Sequence, residues 1–286
     1  MTLVRDDVEL FQNPDRGMMN VLVLASGTGT NFEKAYEGSQ EPGANYSITY
    51  LLTDKERKKG ATESIGAIQR SQRLGVPYKS LPGMKTCGSY AEAQHGFHEY
   101  MEYQTRVQHF NQMMIDEVAR FEKERGMTFD IMLLAGYMRF VEGALWRRFE
   151  RRSINVHPAY LTVLNDFNIR KYTGADAVML ALNNGENRTR SSIILVDPKP
   201  DAGAVLVSGP WLNYDGPRPV TEELKDRHQD KQKEVSDWPA LKFALRAMAN
   251  GELGLHKRKF HADGNPVVVY KGEEMPYKGY DMELIK

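Results

Sequence analysis

Asn20-Val-Leu-Val-Leu-Ala25-Ser-Gly-Thr-Gly-Thr-Asn31-Phe32 opens as an unbroken apolar run, crosses two glycines and ends where a helical pattern begins. A short apolar run without polar alternation suits a strand buried on both faces of a parallel sheet. The stretch from Phe32 to Tyr36 then reads as helix. Glycines at the turn let backbone amides point inward, and the N-terminus of the following helix attracts an anion. Strand, glycine loop and helix in that order are the opening unit of an α/β fold.

The same alternation continues along the chain. Tyr46 to Thr53 reads as a strand, and Ala61 to Leu74 as a helix stopped by Gly75 with Pro77 beyond it. Val76 to Leu81 is a short strand candidate. Gly88 to Gly126 is polar and helix-like, with Tyr90, Phe97, Tyr100, Tyr103, Val107, Phe110, Met114 and Val118 at three- and four-residue steps. That apolar stripe predicts packing against the domain or against a second subunit, the latter giving a homodimer. Phe129 to Ala135 and Ser153 to His157 read as strands, with Glu142 to Glu150 helical between them. Ala175 to Asn184 reads as helix, and Ser191 to Val196 and Ala204 to Gly209 as strands. Val220 to Ala249 is helical with an interruption near Pro239, and Val267 to Tyr270 is a late strand. Strands alternating with helices predict an α/β, Rossmann-like fold, a mostly parallel twisted sheet flanked by helices. Ligands of such sheets sit beyond the carboxyl ends of strands, here after Ala25, after Ala135 and at His157.

Composition narrows the function classes. The 286 residues are 41% hydrophobic and 27% charged, and the formal net charge is zero. No basic excess points to nucleic acid and no lysine-rich tail to a membrane. No apolar stretch approaches the ~20 residues that span a bilayer. The single cysteine, Cys87, cannot form an internal disulfide, and no Cys/His cluster has zinc spacing, so no metal is expected. Residues 1–18 read as an N-terminal extension without the apolar core of a secretory signal. A cytoplasmic protein acting on small molecules is the expectation.

Three loops carry candidate chemistry. Gly27, Thr28, Gly29, Thr30 and Asn31 suit one phosphate, or form a tight turn with no ligand. The dinucleotide pattern fails at Phe32, and the Walker lysine is missing. Asp54, at the end of the second strand, therefore reads as a turn residue. The loop Leu133 to Val141 mixes apolar side chains with one arginine, lining a pocket for a flat ligand or merely ending a strand. Asn155 and His157, two apart on a strand, share a face, and Pro158 ends the strand. A carboxamide beside an imidazole suits a reaction that develops an oxyanion, although a polar loop pair would look the same. Asp201, in the turn Asp197-Pro-Lys-Pro-Asp-Ala-Gly203, is by itself a turn aspartate.

Taken in order, Ala25-Ser-Gly-Thr-Gly-Thr-Asn31, Leu134-Ala-Gly-Tyr-Met-Arg139, Ile154-Asn-Val-His-Pro158 and Pro200-Asp-Ala-Gly203 resemble the folate-dependent formyltransferases, in particular the branch that acts in purine synthesis. Gly251-Glu-Leu, Asp263-Gly and Pro276-Tyr-Lys-Gly-Tyr280 extend the resemblance over roughly residues 19 to 281. It implies a formyltransferase domain over 19–286, with a helical insertion near 84–126. It implies transfer of the formyl group of 10-formyltetrahydrofolate to the primary amine of 5-phosphoribosylglycinamide. It also implies that Asn155, His157 and Asp201 are catalytic, that Gly27 to Asn31 hold the phosphate and that Glu234 holds the ribose. Tyr137, Met138, Arg139, Phe140, Val141, Pro200 and Ala202 would hold the folate.

The chain departs from the family at Thr162, where a proline is usual, and at Gly174-Ala-Asp176, where Gly-Leu-His is usual. It departs again at Arg190, which replaces a glycine, and in a longer Leu164 to Thr173. These positions leave open another amine acceptor, such as an amino sugar linked to a nucleotide. Hydrolysis of formyltetrahydrofolate is a further alternative. Such hydrolases usually carry an N-terminal regulatory domain, for which Met1 to Asn20 is short.

Overall fold

The computed structural model describes residues 6–284; residues 1–5 of the N-terminal extension lie outside the described residues. The chain forms two compact units, one of residues 20–33 and 47–153, the other built on residues 34–46 and 154–284 with the N-terminal segment up to Met19.

In the first unit the strand order is Ile131–Leu134, Met19–Ala25, Tyr46–Thr53, Tyr78–Ser80. Val21 to Leu24 pair in parallel with Ile131 to Leu134, and Leu51 to Thr53 with Tyr78 to Ser80. Val21 through Ala25 are wholly buried, the reason the run carries no polar alternation. Helix Thr30–Ser39 follows the glycine loop. The expected helix from Ala61 starts at Gly66 instead and runs to Leu74. Residues 61–65 are held out of it because Ser64 bridges to Arg57 and the Ile65 amide donates to the Glu56 carbonyl.

The long polar segment forms two short helices, Gly83–Cys87 and Tyr90–Ala93, then helix Phe97–Arg125, ended by Gly126 in the left-handed region. Its buried face is Tyr103, Val107, Phe110, Asn111, Met114, Val118 and Phe121. Phe121 stacks on Tyr50 with ring centroids 3.9 Å apart and on Phe129 at 5.8 Å. The stripe read from sequence is therefore covered along most of its length by its own unit. Phe97, 81% exposed, and Tyr100 and Tyr90, both partly open, fall outside the covered part.

In the second unit Ser153–His157, Ser192–Leu195, Val205–Ser208 and Tyr280–Asp281 are neighbours in that order. The first two pairings are antiparallel and the last is parallel. Val8–Leu10, Leu253–Phe260, Pro266–Tyr270 and Glu273–Glu274 form a separate antiparallel sheet. The segment ahead of Met19 thus supplies an edge strand, with Val8 opposite His256. Helix Glu222–Gln232 passes through a π-helical turn, Lys233–Asp237, into helix Trp238–Ala249. Pro239 does not break this run. It occupies the first turn of the last helix, where a missing N–H is no loss. The irregularity falls one turn earlier. Among the described residues no helix is long and apolar enough to cross a membrane.

Candidate active site

His157 ends its strand opposite Ser192 and is 3% exposed. Its Nδ1 lies 3.4 Å from Asp201 Oδ1. Its Nε2 lies 2.9 Å from the Tyr172 carbonyl oxygen. A carbonyl only accepts, so Nε2 carries a proton that it donates to Tyr172. Both ring nitrogens thus face oxygens. Two residues earlier, Asn155 is half-buried, and among the described residues its carboxamide has no hydrogen-bond partner. The strand thus presents one engaged imidazole and one unengaged amide.

Asp201 comes from the turn between two antiparallel strands, and the turn is held by its carbonyls. Arg170 Nη1 donates to the Asp201 oxygen at 2.6 Å and to the Gly203 oxygen at 2.9 Å, while Asn265 Nδ2 donates to the Ala202 oxygen at 2.8 Å. Burial alone would raise the Asp201 carboxyl. The hydrogen bond and charge of His157, the Gly174 amide and the Arg170 guanidinium outweigh it and hold the group below the usual carboxylate range. The Gly174 amide meets Asp201 Oδ2 at 2.8 Å. Pro200 is exposed, and Ala202 half-buried.

Gln232 joins this group from the helix Glu222–Gln232. Its Nε2 donates to the Pro158 carbonyl at 2.8 Å, and its Oε1 accepts a short hydrogen bond from Thr189, whose hydroxyl also meets His228. Glu234, in the π-helical turn, is exposed. Arg190 is buried between the rings of Tyr160 and Trp211, 4.3 and 4.4 Å from their centroids, and its Nη1 donates to Asp281 at 3.0 Å. Thr162 is half-buried and Asp176 is exposed at the start of helix Ala177–Asn183.

In the other unit the glycine loop is clamped rather than open. A Cβ on Gly29, at a φ of +76°, would sit 2.5 Å from the Ala67 Cα. The Ala67 amide donates to the Gly27 carbonyl, and Arg70 Nη1 to the Thr28 carbonyl at 2.8 Å. Gly27, Thr30 and Asn31 are half-buried and Thr28 is exposed. Ser26 ties this loop to the one after Ile131–Leu134, through its amide to the Gly136 carbonyl and its hydroxyl to the Met138 amide at 3.0 Å.

That second loop holds most of its side chains inward. Tyr137 is buried with its hydroxyl 3.2 Å from Met114 Sδ, and burial pushes the phenol well up. Arg139 is buried in an ion pair with Asp54, Nε to Oδ2 2.7 Å. Asp54 is therefore the buried partner of the loop's arginine, beyond the turn residue its position suggested. Val141 is buried, Phe140 packs edge-on to Tyr90 at 5.1 Å, and Met138 is 68% exposed. Met138 is the side chain this loop leaves most exposed, while the Gly136 carbonyl, the Met138 amide and the Phe140 carbonyl are engaged within the protein. Sequence reasoning missed Tyr172, Arg170, Gln232 and Asn265. Each acts through a partner distant in sequence, and no spacing signals it.

The sequence model of the formyl transferase family, Formyl_trans_N, matches residues 19–235. The trifunctional purine biosynthetic protein adenosine-3 of Gallus gallus is 24% identical over 188 residues, 66% of this chain and 15% of that protein. The chloroplastic phosphoribosylglycinamide formyltransferase of Vigna unguiculata is 25% identical over 191 residues, 64% of this chain and 48% of that protein. The matched region thus spans less than half of either relative. Among solved structures, the phosphoribosylglycinamide formyltransferase of Coxiella burnetii has a TM-score of 0.64 at 21% identity, covering 92% of this chain and 99% of that one. Glycinamide ribonucleotide transformylase 1 of Symbiobacterium toebii has a TM-score of 0.59 at 20% identity, covering 93% and 100%. The fold is the one these proteins share, an α/β fold with a mostly parallel sheet flanked by helices.

Proposed function

Because the chain belongs to the formyl transferase family, we propose that it moves the formyl group of 10-formyltetrahydrofolate to the primary amine of 5-phosphoribosylglycinamide, a step of purine biosynthesis. The observation that carries the reading is the strand end at His157. A buried imidazole bridges a depressed carboxylate and a backbone carbonyl, two residues from an unengaged carboxamide.

The folate, when bound, supplies an acylated nitrogen whose formyl carbon accepts the amine. Asn155 then donates its amide N–H to the formyl oxygen as that oxygen gains negative charge. His157 gives its Nε2 proton to the departing folate nitrogen, and the neutral ring then takes up on Nε2 the proton that the amine loses. For this the ring releases Tyr172 and turns Nε2 to the substrate. Asp201 remains ionised and keeps the ring oriented through Nδ1.

The residues fit the two ligands in chemical kind. The loop Gly27–Asn31, at a helix N-terminus, suits the phosphate, and exposed Glu234 suits vicinal ribose hydroxyls. For the folate, the exposed side chains of Met138 and Pro200 offer apolar surface of the kind a flat pterin ring covers. The departures at Thr162, Asp176 and Arg190 make the acceptor the part to test. A screen with a formylated folate analogue and several amines should show transfer to glycinamide ribonucleotide, abolished in His157→Ala. Transfer to another amine alone, or release of formate without any amine, overturns this acceptor.

A further inference from the structure

Arg170 has a side chain only 8% exposed, and it lies against the turn that carries Asp201. Its Nη1 donates to the Asp201 carbonyl at 2.6 Å and to the Gly203 carbonyl at 2.9 Å. Nε and Nη2 donate to the Tyr277 hydroxyl at 3.3 and 3.1 Å, and that hydroxyl donates to Asp263 Oδ2 at 2.7 Å. Nη2 also lies 3.8 Å from Asp263 Oδ2. Asn265 completes the frame, donating through Nδ2 to Asp263 Oδ2 and to the Ala202 carbonyl, both at 2.8 Å. One planar fork therefore binds the turn on one edge and the Asp263–Tyr277 pair on the other, which the single ammonium of a lysine cannot do. The connection between two antiparallel strands does not need a buried cation, and burying one is costly.

The place of Arg170 in the chain gives this clamp its meaning. Two residues on, the Tyr172 carbonyl meets His157 Nε2 at 2.9 Å, and two further on the Gly174 amide meets Asp201 Oδ2 at 2.8 Å. Residues 170–174 thus hold the imidazole in the middle and Asp201 at both ends, its backbone through Arg170 and its carboxylate through Gly174. Asp201 Oδ1 in turn lies 3.4 Å from His157 Nδ1. The Asp201 φ of 54° is a conformation that persists only where the surroundings impose it, so the aim of the carboxylate depends on what holds the turn. We propose that Arg170 is a positioning residue for the transfer reaction. It fixes the turn so that Asp201 stays aimed at Nδ1 while the ring releases Tyr172 and turns Nε2 to the substrate. The inference rests on the assignment of His157 and Asp201 to that reaction. Arg170 acts through Asp201 and touches neither ligand.

Rates and amide exchange test this. In Arg170→Met, kcat should fall about 100-fold, the scale for a reacting group displaced by ~1 Å, with both KM values unchanged. Arg170→Lys keeps the charge and loses the fork, and should be as slow. A native rate in that variant would show that charge alone matters, and overturns the proposal. Adding Arg170→Met to Asp201→Asn should slow the reaction no further, because the aimed carboxylate is already gone. A residue with a packing role alone would slow both backgrounds by the same factor, or neither, and either outcome overturns the proposal. Hydrogen exchange gives a readout that needs no turnover. In Arg170→Met the Gly174 amide should exchange about tenfold faster, the effect of losing one ordinary hydrogen bond. The Gly209 amide, which donates to the Ser191 carbonyl, should keep its native rate. Equal acceleration of both amides, or of neither, overturns the proposal. Should Arg170→Met fail to fold, Tyr277→Phe takes its place in both measurements. It removes the hydroxyl that accepts from Nε and Nη2, and should give a smaller loss of rate with the same lack of additivity. Absence of transfer to glycinamide ribonucleotide by the intact chain defeats the acceptor assignment, and the amide exchange still decides the clamp.

Discussion

Asp201 adopts a φ of 54°, in the left-handed region that aspartate enters more readily than most residues. The cost of that backbone is met by three carbonyls clamped from outside the turn, two by Arg170 and one by Asn265. The next position but one admits no side chain, because a Cβ on Gly203 would run into the Leu195 carbonyl. The geometry is therefore imposed on Asp201, and its electrostatics follow from where it is held. Its folded carboxyl is depressed, so its contribution to stability is fully present above the ordinary carboxylate range and is lost as pH falls through the lowered value. Thermal melts of Asp201→Asn against the native chain should differ by a constant interval from about pH 5 to 8 and approach each other below about pH 4. A gap that persists unchanged at pH 3 would contradict the ion-pair account. Asn155, His157 and Asp201 were legible as residues of interest because a strand end and a glycine turn mark them. Asp237 was not legible, since it lies in a polar helical stretch whose periodicity does not say which charged side chain is buried.

At the scale of elements, the helix Phe97–Arg125 does more than cover core. Asn111, wholly buried on it, brackets the loop Tyr137–Val141. Its Nδ2 donates to the Phe140 carbonyl at 3.1 Å and its Oδ1 accepts from the Glu142 amide at 3.2 Å. Met114, one turn on, receives the Tyr137 hydroxyl. The loop proposed to bind folate is thus shaped by this helix. Asn111→Leu should unpair both backbone groups and cost about 1–3 kcal/mol, the usual penalty for an unsatisfied buried group. Urea unfolding would measure that loss. Calorimetry with a folate analogue should show weaker binding, while ribonucleotide binding stays near its native value. The helix itself was legible from its three- and four-residue stripe. Its polar member at position 111 was invisible as a contact, because a hydrophobic pattern counts an asparagine as a gap.

Across the whole molecule, the ends of the second unit are secured by pairs that sequence order hides. Buried Arg190 reaches Asp281, while Lys278 holds the other carboxylate oxygen at 2.7 Å. Burial alone would raise the Asp281 carboxyl, but the two cations outweigh it and hold the group down to about 2. This stabilisation is present above the ordinary carboxylate range and disappears between about pH 4 and 2. Asp281→Asn leaves the guanidinium buried between two rings without its counter-charge and should cost about 3–5 kcal/mol. Denaturant unfolding at pH 7 and at pH 2.5 checks both statements, for the gap between native and variant proteins should be full at the first and clearly smaller at the second.

The chain's own residue order settled the parallel strands, the loops at their carboxyl ends and the family, because strand burial and glycine turns are local and leave their period in the sequence. The tertiary structure alone decided which charges meet. Asp54 finds Arg139, His157 finds Asp201 and Arg190 finds Asp281 across long separations in the chain. It alone decided that Val8–Leu10 pairs with Leu253–Phe260, a strand whose exposed Lys257, Arg258 and Lys259 obscure any apolar period. An apolar residue has only to leave water, and its neighbours in sequence reveal how. A buried charge or an edge strand must find a particular partner, and that partner is fixed only when the chain has folded.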